Sequence, residues 1–102
     1  MRNYRLVFQK KATKEWNKLG TTLRRQFEKK LAERLRNPHV PKDKLRKYKD
    51  CYKIKLRASG YRLIYQVRDD VIMIFVLAID ERAGGKAYAA IDERLHAGDD
   101  RG

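Results

Sequence analysis

Residues 51–67 read CYKIKLRASGYRLIYQV, an alternation of apolar and cationic residues on either side of a Ser59-Gly60 pair. Side chains along a strand point to opposite faces in turn, so a period of two over this length describes two strands that each bury one face, joined by a turn. A two-residue turn at Ser59-Gly60 predicts that Arg57 faces Arg62, Leu56 faces Leu63, Lys55 faces Ile64, Ile54 faces Tyr65 and Lys53 faces Gln66. In that register Tyr52, Ile54, Leu56, Leu63, Tyr65 and Val67 form one apolar face, while Lys53, Lys55, Arg57 and Arg62 gather on the other. A three-residue turn would place Arg62 beside Leu56 and Ile54 and bury a charge without a partner.

The flanking sequence supplies what covers the apolar face. Ala12, Trp16 and Leu19 recur at helical spacing, with Gly20 suited to end that helix. Thr21 or Thr22 can cap a second helix, in which Leu23, Phe27, Leu31 and Leu35 recur every four residues until Asn37-Pro38 stops it. A short strand is predicted at 4–8, three more at 52–58, 61–68 and 71–79, and a short helix at 86–95, after Gly84-Gly85. A two-residue turn at Asp69-Asp70 would pair Ile64 with Phe75 and Arg62 with Leu77, bringing the end of the last strand to the Ser59-Gly60 turn and Arg82 close to Arg57 and Arg62. The order βααβββα predicts an α+β fold, an antiparallel sheet with helices against one face. A chain of 102 residues has room for one modest core, assigned here to residues 1–95, followed by a polar tail at 96–102.

Charge narrows the function. Lys and Arg number 26 against 13 Asp and Glu, a net +13 that repels itself and suits a polyanionic partner: nucleic acid, an acidic protein, or both. Nine of these cations and only two acids lie between Lys42 and Arg62. Lys53, Lys55 and Arg57, spaced by about 6.7 Å along a strand, form a ladder matched to a phosphate chain. Lys44 and Arg46 extend the basic surface, and Phe75 and Ile64 offer apolar area to bases. On the second helix Arg24, Arg25, Lys29, Lys30 and Arg34 read as a solvated face that is also able to touch phosphates.

Other chemistries find little support. Cys51 is the single cysteine, which rules out an intramolecular disulfide and suits a reducing cytoplasm. The longest apolar run, 71–79, has nine residues, so neither a membrane span nor an export signal is expected. His39 and His96 lack a ligand partner at helical spacing and read as solvated residues; no metal and no cofactor are expected. Ser59 is a turn residue and Cys51 has no evident His base, so a nucleophilic triad is not expected. Cleavage of RNA by its own 2′-hydroxyl asks for less: a base, an acid, and cations for the charge building on phosphorus. A tyrosine serving as base must ionise at a cost of about 4 kcal/mol at pH 7, part of which surrounding cations recover.

The stretches KEWNKLG, DCYKIKLRASGYRLIYQV and VIMIFVLAI, with the following ER and Y, resemble the RelE toxins of bacterial type II toxin-antitoxin systems. The resemblance runs from about residue 2 to 95 and is most specific over 44–67. It implies a fold similar to microbial ribonucleases, binding in the A site of the 70S ribosome, and metal-independent mRNA cleavage that leaves a 2′,3′-cyclic phosphate and a 5′-hydroxyl. It implies roles for Lys53 and Lys55 at the phosphate, with Lys55 aiding the base, for Arg62 on the scissile phosphate, for Arg82 as stabiliser of the leaving-group charge or as the acid, and for Tyr88 as general base. It further implies an acidic RelB-like antitoxin that wraps the toxin and, in complex with it, represses operator DNA. Glu81 and Gly84 stand where the family tends to be basic. The competing expectations are a gyrase inhibitor similar to ParE, without catalysis, and an inactive RNA-binding module.

Overall fold

The computed structural model describes residues 3–81 and 90–99. Strand β1, Arg5–Phe8, leads into helix α1, Lys10–Lys18. The cap of α1 is Gln9, whose Oε1 accepts from the backbone N–H of Lys11 at 2.7 Å and of Ala12 at 3.2 Å. It thereby satisfies two of the amides a helix start leaves open. Helix α2, Thr21–Arg36, begins directly after Gly20, its N-cap, with no side-chain capping bond. The predicted Thr cap is therefore not formed: Thr21 and Thr22 are the first two residues inside the helix. The end of α2 before Pro38 is as expected. Trp16 links the two helices to β1, its ring 5.3 Å from Phe8 and 6.3 Å from Phe27.

Strands β2 (Cys51–Lys55), β3 (Arg62–Arg68) and β4 (Met73–Asp80) form the antiparallel meander expected, and the sheet order is β1-β4-β3-β2. β1 joins β4 in parallel, from Arg5 opposite Met73 to Phe8 opposite Val76. The α1-α2 hairpin and β2-β3 lie between them in the chain, which gives the connection the length a parallel pair needs.

Both turns are longer than predicted. Leu56 N–H donates to Tyr61 O at 2.9 Å and Gly60 N–H to Leu56 O at 2.8 Å, closing a four-residue loop over 57–60. Gly60 closes it at φ 81, a left-handed conformation that glycine adopts without penalty. Pairing consequently moves by two residues: Lys55 faces Arg62, Ile54 faces Leu63 and Tyr52 faces Tyr65. An even shift preserves parity, so each side chain keeps its predicted face. At the second turn a 3₁₀ segment, Asp69–Val71, and Ile72 at φ 51 replace the tight Asp69-Asp70 turn. Gln66, rather than Ile64, faces Phe75; a bulge between Ile64 and Tyr65 then sets Arg62 opposite Asp80 rather than Leu77. The Asp69 side chain is held by groups from outside the turn, accepting from Tyr4 Oη at 2.6 Å and lying 3.0 Å from His39 Nε2.

Two cores result, one on each side of the sheet. Ala12, Phe27, Leu31, Ile54, Leu63, Tyr65, Val67, Ile74 and Val76 close the side under α1 and α2. On the other side Cys51, Ile64, Phe75, Leu77 and Ala78 pack with Ile91 of helix α3, Ile91–Asp99. The expectation of helices against a single face thus needs correction. The apolar run through 71–79 is the reason: residues of both parities are apolar, so the central strand must be covered twice.

Where β4 runs past the end of β1, side chains complete its ladder. Ile79 N–H donates to Glu15 Oε1 at 2.9 Å, and Arg94 of α3 donates to Leu77 O at 2.9 Å. Arg94 also grips both carboxylate oxygens of Glu15, at 2.9 and 2.8 Å. One bidentate ion pair therefore satisfies the sheet edge and fastens α3 to α1.

Candidate nucleic-acid interface

Lys55 ends the outermost strand and Arg62 begins its neighbour, so the two stand opposite one another on the α3 side of the sheet, with Asp80 next in the same row. Lys55 is exposed, whereas Arg62 is only 8% exposed. The following row is Lys53, Ile64 and Ala78. The predicted ladder thus has two strand rungs, Lys53 and Lys55, with Arg57 exposed in the loop, because β2 ends at Lys55. The expectation that β4 returns to the first turn holds: a Cβ built on Gly60 would lie 3.2 Å from Glu81 O. Asp80 was not anticipated, since only the observed register places a carboxylate beside Arg62.

Burial disqualifies several groups as proton acceptors. Desolvation pushes the Tyr65 phenol up to about 12, against a partial lowering by the Arg34 guanidinium that donates to it. Tyr52 is also raised, first by burial and then by Asp50, Asp69 and Cys51. The Cys51 thiol is pushed up to about 12, chiefly by burial. All three are protonated at neutral pH.

The other predicted contacts divide. Lys44 and Arg46 are exposed, in a stretch whose backbone lies along the outer edge of β2, with Leu45 N–H donating to Cys51 O at 2.8 Å. Phe75 is 8% exposed, and the Arg68 guanidinium sits 4.5 Å from its ring centroid. Its area is spent on the second core, because Val7 and Ile91 pack there, so it presents no open platform to a base. Arg82 and Tyr88 lie outside the described residues, as does Gly84.

Arg34, read from sequence as a solvated cation, is a structural tie. Its Nη1 donates to Lys53 O at 3.2 Å and to Tyr65 Oη at 2.8 Å, its Nη2 donates to Asp43 Oδ2 at 2.6 Å, and Tyr65 Oη donates in turn to Pro38 O at 2.8 Å. The outer edge of β2, covered by residues 44 and 45 at its start, is thereby also held at Lys53. His39, likewise expected to be solvated, lies 2.9 Å from Tyr52 Oη through Nδ1 and 3.0 Å from Asp69 through Nε2. Neither tie has a local spacing signal, since the partners lie 9 to 31 residues away in the chain. Among the described residues no group of three His, Cys, Asp or Glu side chains is placed to hold a metal, and no helix is long and apolar enough to cross a membrane.

Residues 6–84 match the family described as the ParE toxin of the type II toxin-antitoxin system parDE. Over 92 residues the chain is 48% identical to the mRNA interferase toxin RelE of Escherichia coli, covering 90% of this chain and 97% of that one. The chain belongs to the RelE family of toxins. The solved structure of an E. coli RelE mutant in the free state superposes with a TM-score of 0.85 at 46% identity, covering 91% of this chain and 98% of that one. The RelE of the intact E. coli RelBE toxin-antitoxin complex superposes with a TM-score of 0.75 at 52% identity, over 78% and 96% of the respective chains. The α+β arrangement of sheet and helices is thus that of RelE toxins.

Proposed function

We propose that the chain is a ribosome-dependent endoribonuclease toxin and that the Lys55–Arg62 row marks its RNA-cleaving face. The carrying observation is the juxtaposition of Lys55 and Arg62 on one face of the sheet, in a chain 48% identical to an mRNA interferase. In this reading the scissile phosphate of an A-site codon lies over that row, with Lys53 and Arg57 on neighbouring phosphates and Lys44 and Arg46 against RNA further out. A base removes the proton of the 2′-hydroxyl, the 2′-oxygen bonds to phosphorus, and the 5′-oxygen leaves with a proton. The products are a 2′,3′-cyclic phosphate and a 5′-hydroxyl, with no metal required. Arg62 and Lys55 offset the charge gathering on the phosphoryl oxygens. The resemblance to RelE toxins assigns Tyr88 as the base, aided by Lys55, with Arg82 stabilising the leaving oxygen, while the phenols of Tyr52 and Tyr65 are raised by burial.

The partner that silences this activity is a RelB-like antitoxin, as in the E. coli RelBE complex, and the excess of cations suits an acidic protein. The toxin-antitoxin complex is assigned to repress its own operator DNA, and the place of action is the cytoplasm, where ribosomes are. The gyrase reading is disfavoured because relatives that match over nine-tenths of the chain are mRNA interferases.

The test is to add the purified protein to ribosomes stalled on a defined message and to map new 5′ ends. Cuts within the A-site codon, lost in Arg62→Ala while binding to the ribosome persists, are expected. Intact message with DNA breaks in cells expressing the protein would overturn the reading.

A further inference from the structure

Between α2 and residues 53–57 of the outermost strand and its loop runs a groove of about 750 Å³, beside a second recess of about 490 Å³ that shares part of its lining. Lys30, Glu33, Lys55 and Arg57 line both. Arg34 and Asp43, also in the wall, neutralise each other at 2.6 Å. Lys29, Lys30, Lys42, Lys53, Lys55 and Arg57 then stand around the groove against the one remaining carboxylate, that of Glu33. Five of these six cations are exposed, Lys53 being half-buried. Cations facing one another across a groove repel, so the arrangement destabilises the isolated protein and is relieved when an anionic chain lies between them.

We propose that this groove is a second RNA site, which takes the nucleotides 3′ of the cleaved codon. The inference rests on the nuclease reading above and extends it. Lys55 belongs to both surfaces: it stands beside Arg62 on the sheet face and also lines the groove, so one strand can cross the β2 edge without leaving a cationic track. The amide side chains of Gln26 and Asn37 add neutral hydrogen-bonding groups along the same walls, as sugars and base edges require. On a translating ribosome the nucleotides 5′ of the A-site codon are paired in the P site, which leaves the 3′ flank for the groove.

Ribosomes are programmed with messages that end at the A-site codon or extend several nucleotides beyond it, and cleavage is followed with the wild type and with Lys29→Gln/Lys30→Gln. Both lysines are exposed on α2 and neither belongs to the Lys55–Arg62 row of the sheet, so kcat is expected to stay unchanged. Extension should lower KM for the wild type and not for the variant. Two lost single-strand phosphate contacts at about 0.7 each reduce the salt slope by about 1.4, which shrinks the wild-type advantage on the long message about sevenfold between 50 and 200 mM salt. A variant weakened equally on both messages, or on neither, would overturn the inference while leaving the nuclease reading intact. So would a variant changed only in its inhibition by the acidic antitoxin. Absence of cleavage by the wild type on any message would instead remove the reading on which the inference stands.

Discussion

Replacing Arg34 by methionine tests whether a helix cation holds the edge strand of the candidate site. The substitution keeps the stem of the side chain and removes the charge. Its partners would lose donors at three places: Asp43, whose side chain is 20% exposed, the hydroxyl of fully buried Tyr65, and the carbonyl of Lys53. Breaking a buried ion pair from one side costs about 3–5 kcal/mol. Asp43 regains some water and Tyr65 keeps its bond to Pro38 O, so the low end, about 3 kcal/mol, is expected. With a slope of about 1.5 kcal/mol/M, the urea midpoint should fall by about 2 M. Tyr65→Phe should cost about 1–2 kcal/mol for its two hydrogen bonds. The double variant should fall short of the sum by about 1 kcal/mol, because the two share a bond. A loss below about 0.5 kcal/mol for Arg34→Met, the range of an ordinary surface residue, would refute the tie.

Two further outcomes follow from buried groups. Cys51 and Tyr65 both have pKa values raised to about 12, above their ordinary 9.0 and 10.0, so the folded protein keeps protons that the unfolded chain releases. Their contribution is fully present below pH 9 and is lost as pH rises toward 12; alkaline unfolding followed by circular dichroism should show this, and a thiol reagent should label Cys51 at pH 8 only on unfolding. Labelling of the native protein at the rate of a free thiol would contradict the burial. Removing the carboxylate by Glu15→Ala strands Arg94, whose side chain is 10% exposed, and the Ile79 amide; a loss of about 2–3 kcal/mol and faster hydrogen exchange at Ile79 are expected. Unchanged exchange at that amide would show that the Glu15 carboxylate does not protect it.

The faces of the hairpin were legible because parity is a local property: Lys53, Lys55 and Arg62 share a side whichever even-numbered loop joins the strands. The helix stripes of α1 and α2 were legible for the same reason, each set by spacing within one element. The resemblance quoted from DCYKIKLRASGYRLIYQV led to the family that the comparison with E. coli RelE bears out. Phe75 illustrates the boundary: its apolar character and its face could be read from the sequence, whereas the covering of its ring by Arg68 and Ile91 could not.

By itself, then, the amino-acid order determined the two N-terminal helices and the four strands, the apolar side of the hairpin strands, and where positive charge concentrates; the C-terminal helix, expected at 86–95 with a tail from 96, is described from Ile91 to Asp99. Register was decided by the tertiary structure, because it depends on a loop closed by Gly60 and on an Asp69 anchored to Tyr4 and His39, groups distant in the chain. So were the parallel seat of β1, the buried Glu15–Arg94 pair, and the conversion of Arg34 from an expected surface cation into a buried tie. Each of these requires partners that come together only when the chain folds. The energy of a buried charge is set by what surrounds it, and no spacing along the chain records that.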